Sequence, residues 1–256
     1  MPLAREYILG PRSWWRLARF AGFATAAALS PSSYGPGARE LAVRQIYLTA
    51  WRVLPWYLAF SALMSLVVIE IVRSAMFDYG LGHYALELVL RALILELIPV
   101  LTAFFVALRS GSAIGAEVAL MRVSGELDES SAGPDSLRSE LVPRIAGAAL
   151  SVFSLTVLSC ALAMVISYLS FFHTSTAGLQ VFSRVVADVF GDFVLAGFLL
   201  KCLLFGLAVA LIPLASGLEA ERDRLRTVPY AVLAGLVKLF LFIALIEVLS
   251  LMVKYV

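Results

Sequence analysis

Apolar residues fill long stretches of this chain, and polar residues gather in the connections between them. A helix needs about 20 consecutive apolar residues to cross a bilayer. Five stretches meet that length, and they predict membrane spans at residues 53–72, 84–108, 145–172, 193–214 and 230–253. The remainder is too small for a second folded unit, so we expect one all-α integral membrane domain over residues 1–256.

A different pattern precedes the first span. Trp14 and Trp15 are interleaved with Arg12, Arg16 and Arg19, and these arginines recur at i, i+4 and i+7, on one face of a helix. The pattern predicts an uncleaved amphipathic helix that lies on the membrane surface with its arginines toward lipid phosphates. This helix and a turn-rich break take up residues 1–37, and an approach helix leads from residue 38 into the first span.

Composition excludes several classes of protein. A hydrophobic fraction of 61%, a charged fraction of 15% and a mean hydropathy of +0.93 are far from soluble-domain values. A net charge of +2 gives no indication of nucleic acid as a partner. Cys160 and Cys202 lie in apolar runs, where a thiol behaves as a small hydrophobe, so we predict neither a metal site nor a disulfide. No phosphate loop, nucleophile elbow or zinc-protease motif occurs, and we predict no enzyme activity and no cofactor bound by this chain.

The distribution of basic residues predicts the orientation in the membrane. Five spans place the two termini on opposite sides. Seven arginines precede or begin the first span, four lie at 109–144 and three at 222–226, whereas the opposite side holds about four lysines and arginines. Because cytoplasmic loops carry the excess of basic residues, we expect a cytoplasmic N-terminus and a C-terminus outside, which is the periplasm if the chain is a bacterial inner-membrane protein, as the resemblance given below implies.

Four charged residues fall within the predicted spans: Glu96, Lys201, Lys238 and Glu247. Each costs a few kcal/mol at the bilayer centre, so none should face lipid tails. They could form a structural ion pair, line an amphiphilic cavity, or snorkel to an interface, which we favour for Glu247. Asp192 and Lys201 are half a helical turn out of phase, so any partner of Lys201 must come from another helix or another subunit.

The stretch from Leu95 to Arg122 changes character along its length. An apolar helix that carries Glu96 and Pro99 ends its apolar phase at Arg109 and passes through a small-residue run to Glu117. We therefore predict that a membrane helix ends at an interface and turns into a charged helix over residues 111–129. Gly111 and Gly115 form a small-xxx-small pattern, which more often marks ordinary close packing than a dimer interface.

This stretch resembles the MlaE/YrbE family, the permease subunits of ABC transporters that work with MCE proteins. Leu95 and Ile98 depart from the pattern, which has arginine and glycine there. Arg44–Tyr47, Pro143-Arg144, and Asp192 with Lys201 and Phe205 extend the resemblance over about residues 40–210. The matching positions within the stretch are Glu96, Pro99, Val100, Arg109, Gly111, Ser112, Ala113, Ala116, Glu117, Met121 and Arg122.

The resemblance implies an MlaE-type permease with an interfacial helix and five transmembrane helices in the bacterial inner membrane. It implies a permease homodimer, cytoplasmic ABC ATPase subunits that carry ATP and Mg²⁺, and a periplasmic MCE-domain protein. A cavity between the permeases would hold phospholipid. On this basis the ATPase-coupling residues are Gly111, Ser112, Glu117, Arg122, Glu126 and Asp128. The residues expected at the lipid cavity are Glu96, Pro99, Lys201 and Asp192.

Two other functions remain open from the sequence. An ion-coupled secondary transporter would use Glu96 and Lys201 as its ion site, although the inverted repeats typical of that class are not visible. A non-transporting membrane scaffold would need neither charge for the activity of its assembly. Dependence of transport on ATP or on an ion gradient separates the first function from a lipid permease.

Overall fold

The computed structural model describes residues 53–125, 134–173, 175–219 and 225–255, together with residues 22, 43, 47 and 51. Most of the approach helix lies outside these residues. So do several residues singled out from the sequence, among them Arg12, Trp14, Trp15, Arg16, Arg19, Arg44, Glu126 and Asp128.

The described part of the chain is helical and contains no strand. Five of its helices are long and apolar enough to cross a membrane, which is the predicted number. The α-helical segments are α1 (Leu54–Asp78), α2 (Ala85–Val89), α3 (Ile98–Val106), α4 (Ser112–Ser124), α5 (Pro134–Phe172), α6 (Thr176–Val189), α7 (Asp192–Gly217) and α8 (Val228–Tyr255).

The residues between the predicted second span and the predicted charged helix are helical as well. Two π-helical segments, Leu90–Leu97 and Ala107–Gly111, join α2, α3 and α4 into one helix, which we call the composite helix (Gly82–Ser124). The loss of apolar phase at Arg109 reflects this change of helical register, since a π-helix bonds i→i+5 instead of i→i+4. The composite helix ends at Gly125, whose φ of 82° is the left-handed conformation typical of a helix C-cap.

The first span is also longer than predicted. Helix α1 continues to Asp78, beyond the predicted end at residue 72, and the turn after it contains Gly80 at a φ of 73°. Glu70 and Arg73 form a 2.6 Å ion pair on an exposed face of this last part, so their charges do not end the helix. Residues 79–81 then connect α1 to the composite helix.

Helix α7 lies at the centre of the bundle and packs against α4, α5 and α8. The helices are joined so that one end of the bundle, which we call the cavity end, carries the connections 79–81, 173–175 and 190–191. The other end, the connector end, carries the connections after Ser124 and Gly217. Helix α6 follows α5 at the cavity end.

A buried hydrogen bond ties α1 to α3. Thr102 donates its hydroxyl proton to the backbone oxygen of Ile98 at 2.8 Å, so the 2.6 Å hydrogen bond with Tyr57 uses the Tyr57 hydroxyl as donor. Both side chains are at most 1% exposed. Every polar group of this pair is thereby satisfied, as burial away from water requires.

Candidate functional site

A cavity of about 620 Å³ lies among the composite helix, α7 and α8, toward the cavity end. Its wall is mostly apolar, with four charged side chains among the residues that line it, Arg91, Glu96, Lys201 and Lys254. The apolar part of the wall includes Phe193, Phe198, Leu200, Leu204, Ile246 and Val253. A largely apolar cavity with a few convergent polar groups is the usual form of a small-molecule site.

Three helices supply one ion-pair network beside this cavity. Lys201 of α7 is 3% exposed, and its Nζ lies 2.7 Å from Oε2 of Glu247 on α8. The same ammonium group pairs with Oε2 of Glu96 on the composite helix. Lys254, in the last turn of α8, donates to Oε1 of Glu96 at 2.8 Å. Two lysines and two glutamates therefore balance each other, which offsets the cost of placing charge within the membrane.

Pro99 shapes this network without lining the cavity. It is buried in the second position of α3 and has no N–H to donate to a carbonyl four or five residues earlier. Those carbonyls belong to Leu95 and Ile94, and other helices supply their donors. Lys201 Nζ donates to the Leu95 oxygen at 3.3 Å, and Cys160 Sγ to the Ile94 oxygen at 3.6 Å. Neighbouring helices thus satisfy the groups that a membrane proline leaves open.

The structure brings together only some of the residues predicted for the cavity. Glu96 and Lys201 line it side by side, and the partners of Lys201 come from other helices, as the helical phase of Asp192 required. Asp192 is exposed in the first turn of α7, two and a half turns from Lys201, and does not line the cavity. The snorkelling interpretation of Glu247 is wrong, because its carboxylate pairs with a buried lysine.

Sequence reasoning missed Lys254 as a member of the site. Its spacing of seven from Glu247 puts both on one face of α8, and that spacing was the available signal. Glu87 and Arg91, four residues apart on the composite helix, form an ion pair in which Arg91 Nε donates to Glu87 at 2.9 Å. Arg91 also lines the cavity.

A second concave surface lies at the connector end, and we call it the α4 groove. Its volume is about 720 Å³. Glu117 and Arg144 form a 3.1 Å ion pair across it, from α4 to α5, with side chains 56% and 18% exposed. Arg144 also contacts the sulfur of Met121. The groove is lined by Glu117, Leu120, Met121, Val123, Ser124, Arg144 and Leu225.

Two glycines, Gly111 just before α4 and Gly115 within it, set the distance between α4 and α7. A Cβ on Gly111 would lie 3.2 Å from the ring of Pro213, and one on Gly115 would lie 3.2 Å from the Pro213 oxygen. The contact at Gly217 is closer still, because a Cβ added to this glycine would lie 2.6 Å from the backbone oxygen of Gly115. The small-xxx-small pattern therefore marks close packing within the chain. Ser112 turns inward to its own helix and donates to the Leu108 oxygen at 2.5 Å.

A further buried pair lies near the connector end. Lys238 of α8 is fully buried, and its Nζ lies 3.0 Å from Oε2 of Glu219, just after α7. Gly235, one turn before Lys238, allows the close approach of Ser216, because a Cβ there would lie 2.9 Å from that side chain. This end of α8 is thus fastened to the end of α7 that carries the Gly115 contact. Arg122 lies in the last turn of α4, beside the groove.

Comparison with known families gives one match. The family described as Permease MlaE matches residues 42–253, which include the composite helix, the α4 groove and all the residues that line the cavity except Lys254. No individual curated protein matches the chain significantly.

Proposed function

The chain belongs to the MlaE permease family, and we propose that it moves phospholipid or a related lipid between the inner membrane and a periplasmic MCE-domain protein. The family consists of membrane permeases of lipid ABC transporters. Such a permease does not hydrolyse ATP itself, so a separate ATPase subunit would power the movement. We further propose that two copies of the chain form the membrane part of the complex.

The observation that supports this proposal best is the cavity. Its wall is apolar over most of its surface, and its charges are confined to the network around Glu96 and to Arg91. Lipid tails need the apolar wall, and a headgroup needs the charged part. By the distribution of basic residues, the cavity end faces the periplasm, where a lipid would pass to or from the MCE protein.

The composite helix connects the α4 groove to the cavity, so a displacement at the groove would be transmitted to the cavity. Glu96 lies on it at the cavity, and Glu117 lies on it at the α4 groove. The two are 21 residues apart, about 30 Å along a helix of ordinary rise. A cytoplasmic ATPase that docks at the groove and displaces α4 would move the glutamate that holds both lysines. We assign Gly111 and Gly115 to the packing that keeps α4 against α7.

Isolation of the native assembly through a tag on this chain tests the proposal. We expect an ABC ATPase and phospholipid to co-purify with it. We also expect lipid transfer from proteoliposomes to an MCE protein to depend on ATP and to persist when ion gradients are collapsed. An assembly without a nucleotide-hydrolysing subunit would contradict the proposal.

The buried network also gives the ion-coupled carrier a specific observation, since Glu96 and Glu247 both pair with the same buried lysine, Lys201. Transport that stops when the gradient is collapsed, and that ignores ATP, would favour this second function.

A further inference from the structure

Helix α7 contains three glycines, Gly197, Gly206 and Gly217, and they differ in what surrounds them. A Cβ added to Gly206 would lie 2.8 Å from the backbone oxygen of Ala149, and one added to Gly217 would meet the backbone of Gly115. A Cβ added to Gly197 would meet nothing within 4 Å in the described part of the chain, its own helix backbone and chain neighbours aside. Close packing of helices therefore explains two of these glycines but not Gly197.

The backbone does not require a glycine at residue 197 either. The residue lies inside α7, and it is not among the glycines that have a positive φ. A glycine inside a helix is destabilising relative to alanine, because it loses more conformational freedom on folding, and it usually has a packing or functional reason. The remaining consequence of Gly197 is the empty space that it leaves beside the helix.

This space belongs to the cavity. Gly197 is among the residues that line it, one helical turn from Phe193 on one side and from Lys201 on the other. Phe193 is 74% exposed, whereas Lys201 is 3% exposed, so Gly197 lies between the outer part of the wall and the buried ion-pair network. Side chains on a helix lean toward its N-terminus. A side chain at residue 197 would therefore extend toward Phe193 and narrow the cavity there.

The wall around Gly197 has the character that a hydrocarbon chain needs. The neighbouring residues of α7 that line the cavity carry no charge, and α8 adds Leu249 and Val253. Burial of each methylene group against such a wall is favourable, and the gain grows with the number of methylene groups that fit. The space at Gly197 is thus suited to the acyl chain of a lipid, whereas the charged network one turn away is suited to polar atoms.

We propose that Gly197 is a specificity residue for the acyl chain of the bound lipid. The chain occupies the space that the missing side chain leaves, and this space sets the length of chain that the cavity accepts. The inference rests on the proposed lipid-permease function. It adds to that function a residue that determines which lipids are carried by the size of their hydrocarbon part.

Two other occupants would fill the same space, namely a second copy of the chain and the bulk bilayer. The position of the space favours the bound lipid over both, because the cavity continues from Gly197 to an ion-pair network that three helices form. If a second copy filled the space, contact between the copies would depend on Gly197. If the bulk bilayer filled it, no preference for chain length would result.

The test uses the complex with its ATPase, reconstituted in dioleoyl phosphatidylcholine vesicles. The vesicles contain small, equal amounts of phosphatidylethanolamines that share one headgroup and differ in chain length, from dilauroyl to distearoyl. After re-extraction and washing, mass spectrometry measures the lipids that the complex retains. Native mass spectrometry of the same sample counts the copies of the chain.

We expect larger side chains at residue 197 to shift the retained lipids toward shorter chains. Each buried methylene group contributes roughly a factor of four to binding. Gly197→Ala should therefore lower the ratio of long-chain to short-chain lipid by at most about fourfold. Gly197→Leu should lower this ratio on the order of tenfold, because it takes the room of about two methylene groups, and Gly197→Phe should lower it further.

Leu199→Phe is the matched control for Gly197→Phe. Leu199 is exposed on the same helix, two residues away, and is not among the residues that line the cavity. The added bulk should leave the ratio of long-chain to short-chain lipid as it is in the wild type. If Gly197→Phe does not assemble with its ATPase, Gly197→Leu decides the test in its place.

The outcomes separate this inference from the function on which it rests. A graded shift to shorter chains with an unchanged number of copies supports the inference. A ratio that stays at the wild-type value in Gly197→Leu and Gly197→Phe overturns it, and so does a loss of the second copy without a shift in chain length. Both of these results leave the proposed function intact. A wild-type complex that retains no lipid contradicts the proposed function instead.

Discussion

The cavity end and the connector end both hold ion pairs between helices, but the pairs differ in their exposure to solvent. At the cavity, Lys201 is 3% exposed and lies among acceptors from two other helices. At the α4 groove, Glu117 pairs with Arg144 across two helices, but its side chain is 56% exposed. Coulomb attraction between two charges is stronger where water is excluded, and so is the penalty when one of them is left alone.

This difference assigns different roles to the two pairs. The buried network fixes the positions of three helices, since each charge must keep its partner in a medium that cannot solvate it. The exposed pair contributes little to the free energy of unfolding, because water competes for both groups. Its charges are available to a soluble partner, and the composite helix connects the two regions.

The largest expected effect is at the buried lysine. Lys201→Met leaves Glu247 without its cation inside the membrane, and we expect a loss of about 3–5 kcal/mol in the free energy of unfolding. Unfolding of the detergent-solubilised protein by a denaturing surfactant measures it. Adding Glu247→Gln to Lys201→Met removes the unpaired charge and should recover a large part of that loss.

An exposed pair supplies the contrast for that experiment. Arg73→Gln breaks the ion pair with Glu70 near the same end of the bundle and should change the free energy of unfolding by less than about 1 kcal/mol. Comparable losses for Arg73→Gln and Lys201→Met would contradict the view that desolvation distinguishes the two pairs.

The second effect concerns the packing of α4 against α7. In Gly217→Ala the new Cβ would lie 2.6 Å from the backbone oxygen of Gly115, so the helices must separate. We expect a loss of about 1–3 kcal/mol in the free energy of unfolding, as for other overpacked sites. ATPase activity of the complex should become less responsive to lipid, because the same contact holds the groove to the bundle.

Gly197→Ala is the matched control on the same helix. Nothing lies within 4 Å of its added Cβ, so relief of the glycine's helical cost should leave stability unchanged or raise it by about 0.5–1 kcal/mol. Equal losses for the two alanine variants would mean that the close approach of α4 and α7 is not what makes Gly217 necessary.

The two regions also differ in how far the sequence predicted them. The five spans followed from apolar length alone, and the need for a partner from another helix followed from the phase of Lys201. Helix phase within one element is readable from spacing. The identity of the partner residue cannot be read from spacing, because it depends on how helices far apart in the chain pack together. Glu247 and Lys254 were therefore not connected to Glu96.

The composite helix shows a second limit. Periodicity at 3.6 residues per turn breaks at Arg109, and a break in phase suggests the end of a helix. A π-helical turn produces the same break while the helix continues, so the pattern alone does not distinguish them. Pro99 is similar. The proline in the sequence predicts that a backbone oxygen one turn earlier lacks its N–H donor. Only the packing of the helices shows that Lys201 and Cys160 supply donors to the backbone oxygens there.

The smallest effect on stability, and the sharpest test of the comparison, is at the groove. Glu117→Arg and Arg144→Glu each break a partly exposed pair and should change the free energy of unfolding by about 1 kcal/mol or less. Each should nevertheless reduce the stimulation of ATP hydrolysis by lipid, because each reverses a charge that an ATPase would contact. The double variant restores attraction between the two positions but presents the opposite charge pattern to a partner. We therefore expect the double variant to regain the wild-type unfolding free energy without regaining stimulation. Full recovery of both would show that the pair acts only within the chain, as Lys201 and Glu247 do at the cavity.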